Sequence, residues 1–140
     1  MALDTIRAHC HQLRLPTVAA VVGATLETAQ REAWSLETFL THLLEQELDG
    51  RQTRRITRLL KAAHLPPGKT LETFEQQRLP LRVCRQLAQL AAGDFIPRGD
   101  NVLLFGLPGT GKTHLAAALG YAWIERDFTV LFTPTYKLVG

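Results

Sequence analysis

The sequence predicts an α/β chain in two parts: a small helical N-terminal domain, then a strand-and-helix domain. Three observations carry that expectation. Through residues 2 to 64 apolar residues recur at three- and four-residue steps, the period of helices that bury one face. The stretch Leu65-Pro66-Pro67-Gly68 then breaks the pattern, because consecutive prolines and a glycine cannot continue a helix. Beyond it a short apolar run, Asn101 to Phe105, leads through a glycine-rich turn into a second helical stretch, the order strand, loop, helix.

Each element has a local reason. Pro16 suits the first turn of a second helix, where its missing N–H costs nothing, and Ser35 can cap a third that runs from Leu36 towards His64. In that third helix Leu36, Phe39, Leu40, Leu43, Leu44, Leu48, Ile56, Leu59, Leu60 and Ala63 predict one apolar face along its whole length. Pro80 opens a further helix that Gly93 stops after Ala92, and the turn Pro97-Arg98-Gly99-Asp100 feeds the first strand. The helix after the glycine-rich loop extends to about Glu125. A second strand, Thr129 to Thr133, and a last helix from near Thr135 complete the order. The expected domains are residues 1–65 (helical), 66–79 (linker) and 80–140 (strand-and-helix).

Composition sets the class. One hundred and forty residues with 46% hydrophobic content suffice for one ordinary domain or two small ones. A net charge of +3 says little about partners by itself. Cys10 and Cys84 lie far apart with no CxxC pair, which suggests buried thiols in a reducing cytoplasm. The N-terminus has no signal-like apolar run, and Leu115 to Ile124 is too short to span a bilayer, so a cytoplasmic protein with no membrane partner is expected.

The glycine-rich turn is chemically specific. Gly106, Leu107, Pro108, Gly109, Thr110, Gly111, Lys112 and Thr113 fit GxxxxGK followed by Ser or Thr, the phosphate-binding loop of nucleotide sites. Glycines let successive backbone N–H groups turn inward around a β-phosphate that sits on the positive end of the next helix. Lys112 adds a full charge, and the Thr113 hydroxyl suits Mg²⁺, a cation that takes oxygen ligands and bridges phosphates. A nucleotide with Mg is therefore the expected ligand. His114 is placed with this set as a neighbour of bound nucleotide, the alternative being a solvent-facing residue at the helix start.

Charge on the third helix switches abruptly. Glu37 to Asp49 holds four acids and no Lys or Arg, whereas Arg51 to Lys69 holds six bases and no acid. Arg51, Arg54, Arg55 and Arg58, followed by Lys61, fall largely on one face and could track a run of phosphates, so a nucleic acid is the expected partner. An acidic protein partner and a solvated face remain open, since bases late in a helix complement its dipole and Glu47 pairs well with Arg51. No aromatic residue interleaves with these arginines, which argues against stacking on single strands. His9-Cys10-His11 has metal-ligand types, but adjacent helical positions point apart. Trp34 and Trp123 are expected in the core.

The stretch NVLLFGLPGTGKTHLAAALGYAWIERDFTVLFTPTYKLV, from Asn101 to Val139, closely resembles the IstB-like ATP-binding helper proteins of insertion-sequence transposition. It is more distantly similar to DnaC-type helicase loaders, and both belong to the AAA+ ATPases. RRITRLLKAAHLP, TLETFEQQ and LRLPTVAA extend the resemblance over nearly the whole chain. It implies a helical N-terminal domain that contacts DNA or a partner, followed by the first part of a P-loop NTPase domain of AAA+ type. Gly109, Gly111, Lys112 and Thr113 would then occupy the phosphate and Mg²⁺ positions. The implied activity is ATP binding and hydrolysis, coupled to homo-oligomerisation on double-stranded DNA and recruitment of the element's transposase. A DnaC-like loader is the alternative, distinguished by a helicase partner.

The chain also departs from that family. Hydrolysis needs a carboxylate at the end of another strand, yet after Thr113 the only acids are Glu125 and Asp127, which flank a turn. No later sensor residue or arginine finger follows. The family's ATPase domain continues for roughly another hundred residues, in keeping with the usual size of such domains. In its strand order the first and second strands are not neighbours, so two strands with open edges are expected here. Truncation after the second strand is the expectation, with ATP held and not hydrolysed. A module that binds DNA or transposase without ATP is the reading from a different class.

Overall fold

The computed structural model describes residues 1–139, and their regular structure is helical. Met1 precedes α1, Ala2–Gln12. Pro16 begins α2, Pro16–Arg31, at the position where its fixed φ suits a helix start. Ser35 caps α3, Leu36–Ala63, by accepting the Thr38 N–H on its hydroxyl at 3.1 Å. After one tight turn, Gln76–Arg78, come α4, Leu81–Ala92, α5, Lys112–Glu125, and the short α6, Thr135–Leu138.

Two units are distinct, Met1–Arg54 and Arg55–Gly140, with their division inside α3 and not at the proline pair. In the first, α1 and α2 pack as a hairpin around Cys10, Val18, Ala19 and Val22, with Leu43 of α3 completing the core. Non-glycine residues close both helices: Arg14 (φ 58°) and Ala33 (φ 52°) are left-handed. The compensation is local, because the N–H of the next residue returns to the helix, Leu15 to Cys10 at 2.7 Å and Trp34 to Ala29 at 2.9 Å.

In the second unit Leu87 of α4 meets Leu115 and Leu119 of α5, and Leu71, Phe74, Leu79 and Trp123 pack around them. Gly93 ends α4 at φ 77°, and a Cβ there would lie 2.8 Å from the Phe128 ring, so both conformation and space demand glycine. The Trp123 indole N–H satisfies the Leu90 carbonyl at 2.7 Å near the end of α4. Residues 66–79, expected as a linker, are docked: Tyr121 donates to the Pro66 carbonyl at 2.9 Å, and Leu71 and Phe74 enter the core. The end of α3 belongs here as well, since the Phe132 N–H donates to the Ala63 carbonyl at 2.8 Å.

Three expectations need correction. The sheet is not formed: among the described residues Asn101 to Phe105 and Thr129 to Thr133 carry no ladder. A strand exists only through hydrogen bonds to a neighbour, and these two stretches do not supply one another. The apolar face of α3 is not buried throughout, because Leu43 is in the core while Leu36, Leu40, Leu44 and Leu48 are exposed, Leu36 by 88%. Trp34 is half-buried, giving its N–H to Glu32 at 3.0 Å and packing on His42 at 5.1 Å between ring centres. Both cysteines are thiols, Cys10 buried and Cys84 half-buried. Among the described residues no helix is long and apolar enough to cross a membrane, and no group of three or more His, Cys, Asp or Glu is arranged to hold a metal.

Candidate nucleotide site and basic helix

The loop Gly106 to Gly111 delivers the chain directly into α5. Gly109 (φ 78°) and Gly111 (φ 92°) are left-handed, and Gly111 is the cap residue whose carbonyl accepts the Leu115 N–H at 2.9 Å. Thr110 closes the turn by donating its hydroxyl to the Leu107 carbonyl at 2.7 Å, its N–H pointing to the same oxygen at 3.3 Å. Gly106 lies against this closure, and a Cβ on it would come within 2.9 Å of the Thr110 hydroxyl. Lys112 folds back so that its ammonium donates to the Gly106 carbonyl. The loop is thus a ring closed by the side chain that the motif assigns to phosphate.

Its chemistry follows from α5. The first N–H groups of a helix have no partner within it, so those of Lys112, Thr113 and His114 are available to an anion at the dipole's positive end. Thr113 is exposed in this first turn. Its hydroxyl is one oxygen donor, which fits a Mg²⁺ ion taking its other ligands from phosphates and water. Pro108 is exposed within the loop.

The His114 side chain is directed towards the turn before α4. Its Nε2 lies 3.1 Å from both the Thr73 hydroxyl and the Thr70 carbonyl, and the Phe74 ring meets it edge-on at 5.1 Å. The histidine is turned towards residues 70–74 and not into solvent. That turn is itself well tied: Thr73 donates its hydroxyl to the Gly68 carbonyl at 2.6 Å, and Thr70 gives its N–H to Thr73 at 3.1 Å. Glu72 keeps its carboxyl below the usual range through its own backbone N–H first and the Thr70 hydroxyl second. Residue spacing alone carried no sign of Thr70, Thr73 and Phe74 as neighbours of the loop.

A cavity of about 970 Å³ lies elsewhere, between α4 and residues 101–104, lined by Leu87, Leu90, Phe95, Val102, Leu104 and Leu115 among others. None of its lining residues belongs to Gly106–Thr113. It is a groove of mixed character, with Gln86, Arg98 and Asn101 also in its lining.

The basic half of α3 is divided in its duties. Glu47, only 3% exposed, accepts the Val18 N–H at 2.9 Å and so caps the start of α2 from across the unit. Arg54 approaches the same carboxylate at 3.3 Å and donates to the Thr17 hydroxyl at 2.9 Å. Arg51 sits 3.7 Å from it and donates to the Arg14 carbonyl at 3.0 Å. Both arginines are therefore bound to the protein, while half of each side chain still meets solvent. In the second unit Arg55 pairs with Asp127 at 3.5 Å, whereas Arg58 and Lys61 are exposed without an ion pair among the described residues.

Residues 8–140 match the family model described as IstB-like ATP binding protein. The chain belongs to the IstB-like ATP-binding proteins. It is 49% identical over 130 residues to an insertion-sequence protein of Sinorhizobium fredii named for ATP binding, covering 92% of this chain and 44% of that one. The protein so named for the insertion sequence IS21 of Pseudomonas aeruginosa is 40% identical, over 92% of this chain and 49% of its own. That of IS5376 from Geobacillus stearothermophilus is 38% identical, over 98% and 55%. The chain spans about half the length of these IstB-like relatives.

Proposed function

We propose that this IstB-like chain binds ATP with Mg²⁺ through Gly106, Gly109, Gly111, Lys112 and Thr113, as a helper in the transposition of an insertion sequence. The observation that carries the reading is the glycine loop closed by Lys112 at the start of α5. The relatives' names support ATP and the insertion sequence. Lys112→Ala should weaken ATP binding by about 1.5–3 kcal/mol, the scale of a hydrogen bond to a charged group. Helix content should hardly change, because the ammonium's hydrogen bond goes to a loop carbonyl. Calorimetry with Mg²⁺ present checks this, and equal affinity in parent and variant would remove the assignment.

Duplex DNA and the element's transposase complete the proposal as partners, with homo-oligomerisation on DNA as the family's mode. For DNA the cations of the predicted set that are exposed without an ion pair among the described residues are Arg58 and Lys61, while Arg51, Arg54 and Arg55 are half-exposed and paired. Arg58→Gln with Lys61→Gln should flatten the log–log salt dependence of duplex binding by about 2, since each phosphate contact contributes a slope of roughly 0.9. The loss should be the same for unrelated sequences. An unchanged slope in a filter-binding titration would leave these side chains as a solvated face.

A further inference from the structure

We propose that Phe74 and His114 are positioning residues for the phosphate loop, gripping its last glycine and the first turn of α5 from the docked turn at residues 70–74. This rests on the nucleotide-site reading above. Two independent contacts carry it. The Phe74 ring approaches Gly111 so closely that a Cβ there would be 3.0 Å from its Cε2, so the ring covers the bare face of the residue on which the loop pivots. Gly111 stands at φ 92°, a conformation that turns the following N–H groups of Lys112 and Thr113 outward from the helix start. Were this glycine free to swing, those donors would lose their common aim; the ring blocks one side of that swing.

His114 makes the second contact. The Thr70 carbonyl can only accept, so His114 carries its proton on Nε2, 3.1 Å from that oxygen, and shares it with the Thr73 oxygen at 3.1 Å. Thr73 meanwhile directs its own proton to Gly68. The histidine follows Lys112 by two residues, so a hydrogen bond there fixes the turn that presents the phosphate donors. Phe74 rests edge-on against the same ring and on the Leu115 core, which makes ring, imidazole and loop one packed unit.

A base contact and a loop-positioning role separate by ligand. Titrations of the full chain with Mg²⁺ would use two probes, ATP and inorganic tripolyphosphate, the second carrying phosphates and no base. Phe74→Leu and His114→Ala should each lose about tenfold in affinity, 1.4 kcal/mol, and should lose it equally for both probes. His114→Gln, whose amide also offers an N–H, should recover most of that loss. Circular dichroism of each variant should retain the parent's helix signal, and an unfolded Phe74→Leu leaves the two His114 variants to decide. Loss for ATP alone would make these residues base contacts and overturn the proposal, as would parental affinity for both probes in His114→Ala. If the parent binds neither probe, the nucleotide-site reading itself fails and this one with it.

Discussion

Mixed with ATP and Mg²⁺, these 140 residues should bind the nucleotide and release it intact. Phosphoryl transfer needs a group to orient the attacking water and positive charge to stabilise the transition state. The two acids that follow the loop cannot provide the first. Glu125 is the last residue of the 14-residue α5, and at 1.5 Å per residue it stands roughly 18 Å from Thr113. Asp127 lies two residues further on and is paired with Arg55 at 3.5 Å. Phosphate release should match the uncatalysed background in a steady-state assay. A rate above it that disappears in Lys112→Ala would mean that an acid from another subunit, or from earlier in the chain, completes the site.

Glu47→Ala should cost the helical unit about 2–3 kcal/mol. The carboxylate is buried and receives the Val18 N–H together with Arg54, and Arg51 lies close by. Its removal forfeits a helix cap, about 1 kcal/mol, and one or two charge-assisted bonds of similar or greater worth. The arginines soften the loss, because their half-exposed heads can return to water. Glu47→Gln should fall between the two, keeping an acceptor for Val18 while losing the charge. Urea unfolding of the full chain measures the difference, and faster amide exchange at Val18 locates it. A Glu47→Ala chain as stable as its parent, with Val18 still protected, would show that the cap is supplied otherwise.

What could be read without coordinates was what is decided locally. Pro16, Ser35 and Gly93 mark helix ends through the φ angle, hydroxyl or missing side chain that each contributes, and those properties act within a few residues. The turn from Gly106 into α5 was legible for the same reason, because its left-handed glycines act on consecutive residues. The sheet was not, since residues 101–105 and 129–133 have strand-like composition but a strand depends on a neighbour. The leucines of α3 share one periodic pattern, and only packing separates buried Leu43 from exposed Leu40 and Leu44. Spacing found Glu47 with Arg51, four positions apart, but Arg54 with Thr17, Arg51 with Arg14 and His114 with Thr70 join residues 37, 37 and 44 positions apart.

The Glu47 cap also implies an order of events in time. The bonds that close α1 and α2 join residues five apart, Leu15 to Cys10 and Trp34 to Ala29, so they can form as soon as those turns are sampled. The bond from Val18 to Glu47 reaches across 29 residues and must wait until the chain has looped back, an entropic delay that grows with the length to be closed. The α1–α2 hairpin is thus the early structure. The docking of α3 should then follow, with the first turn of α2 capped only once the carboxylate arrives.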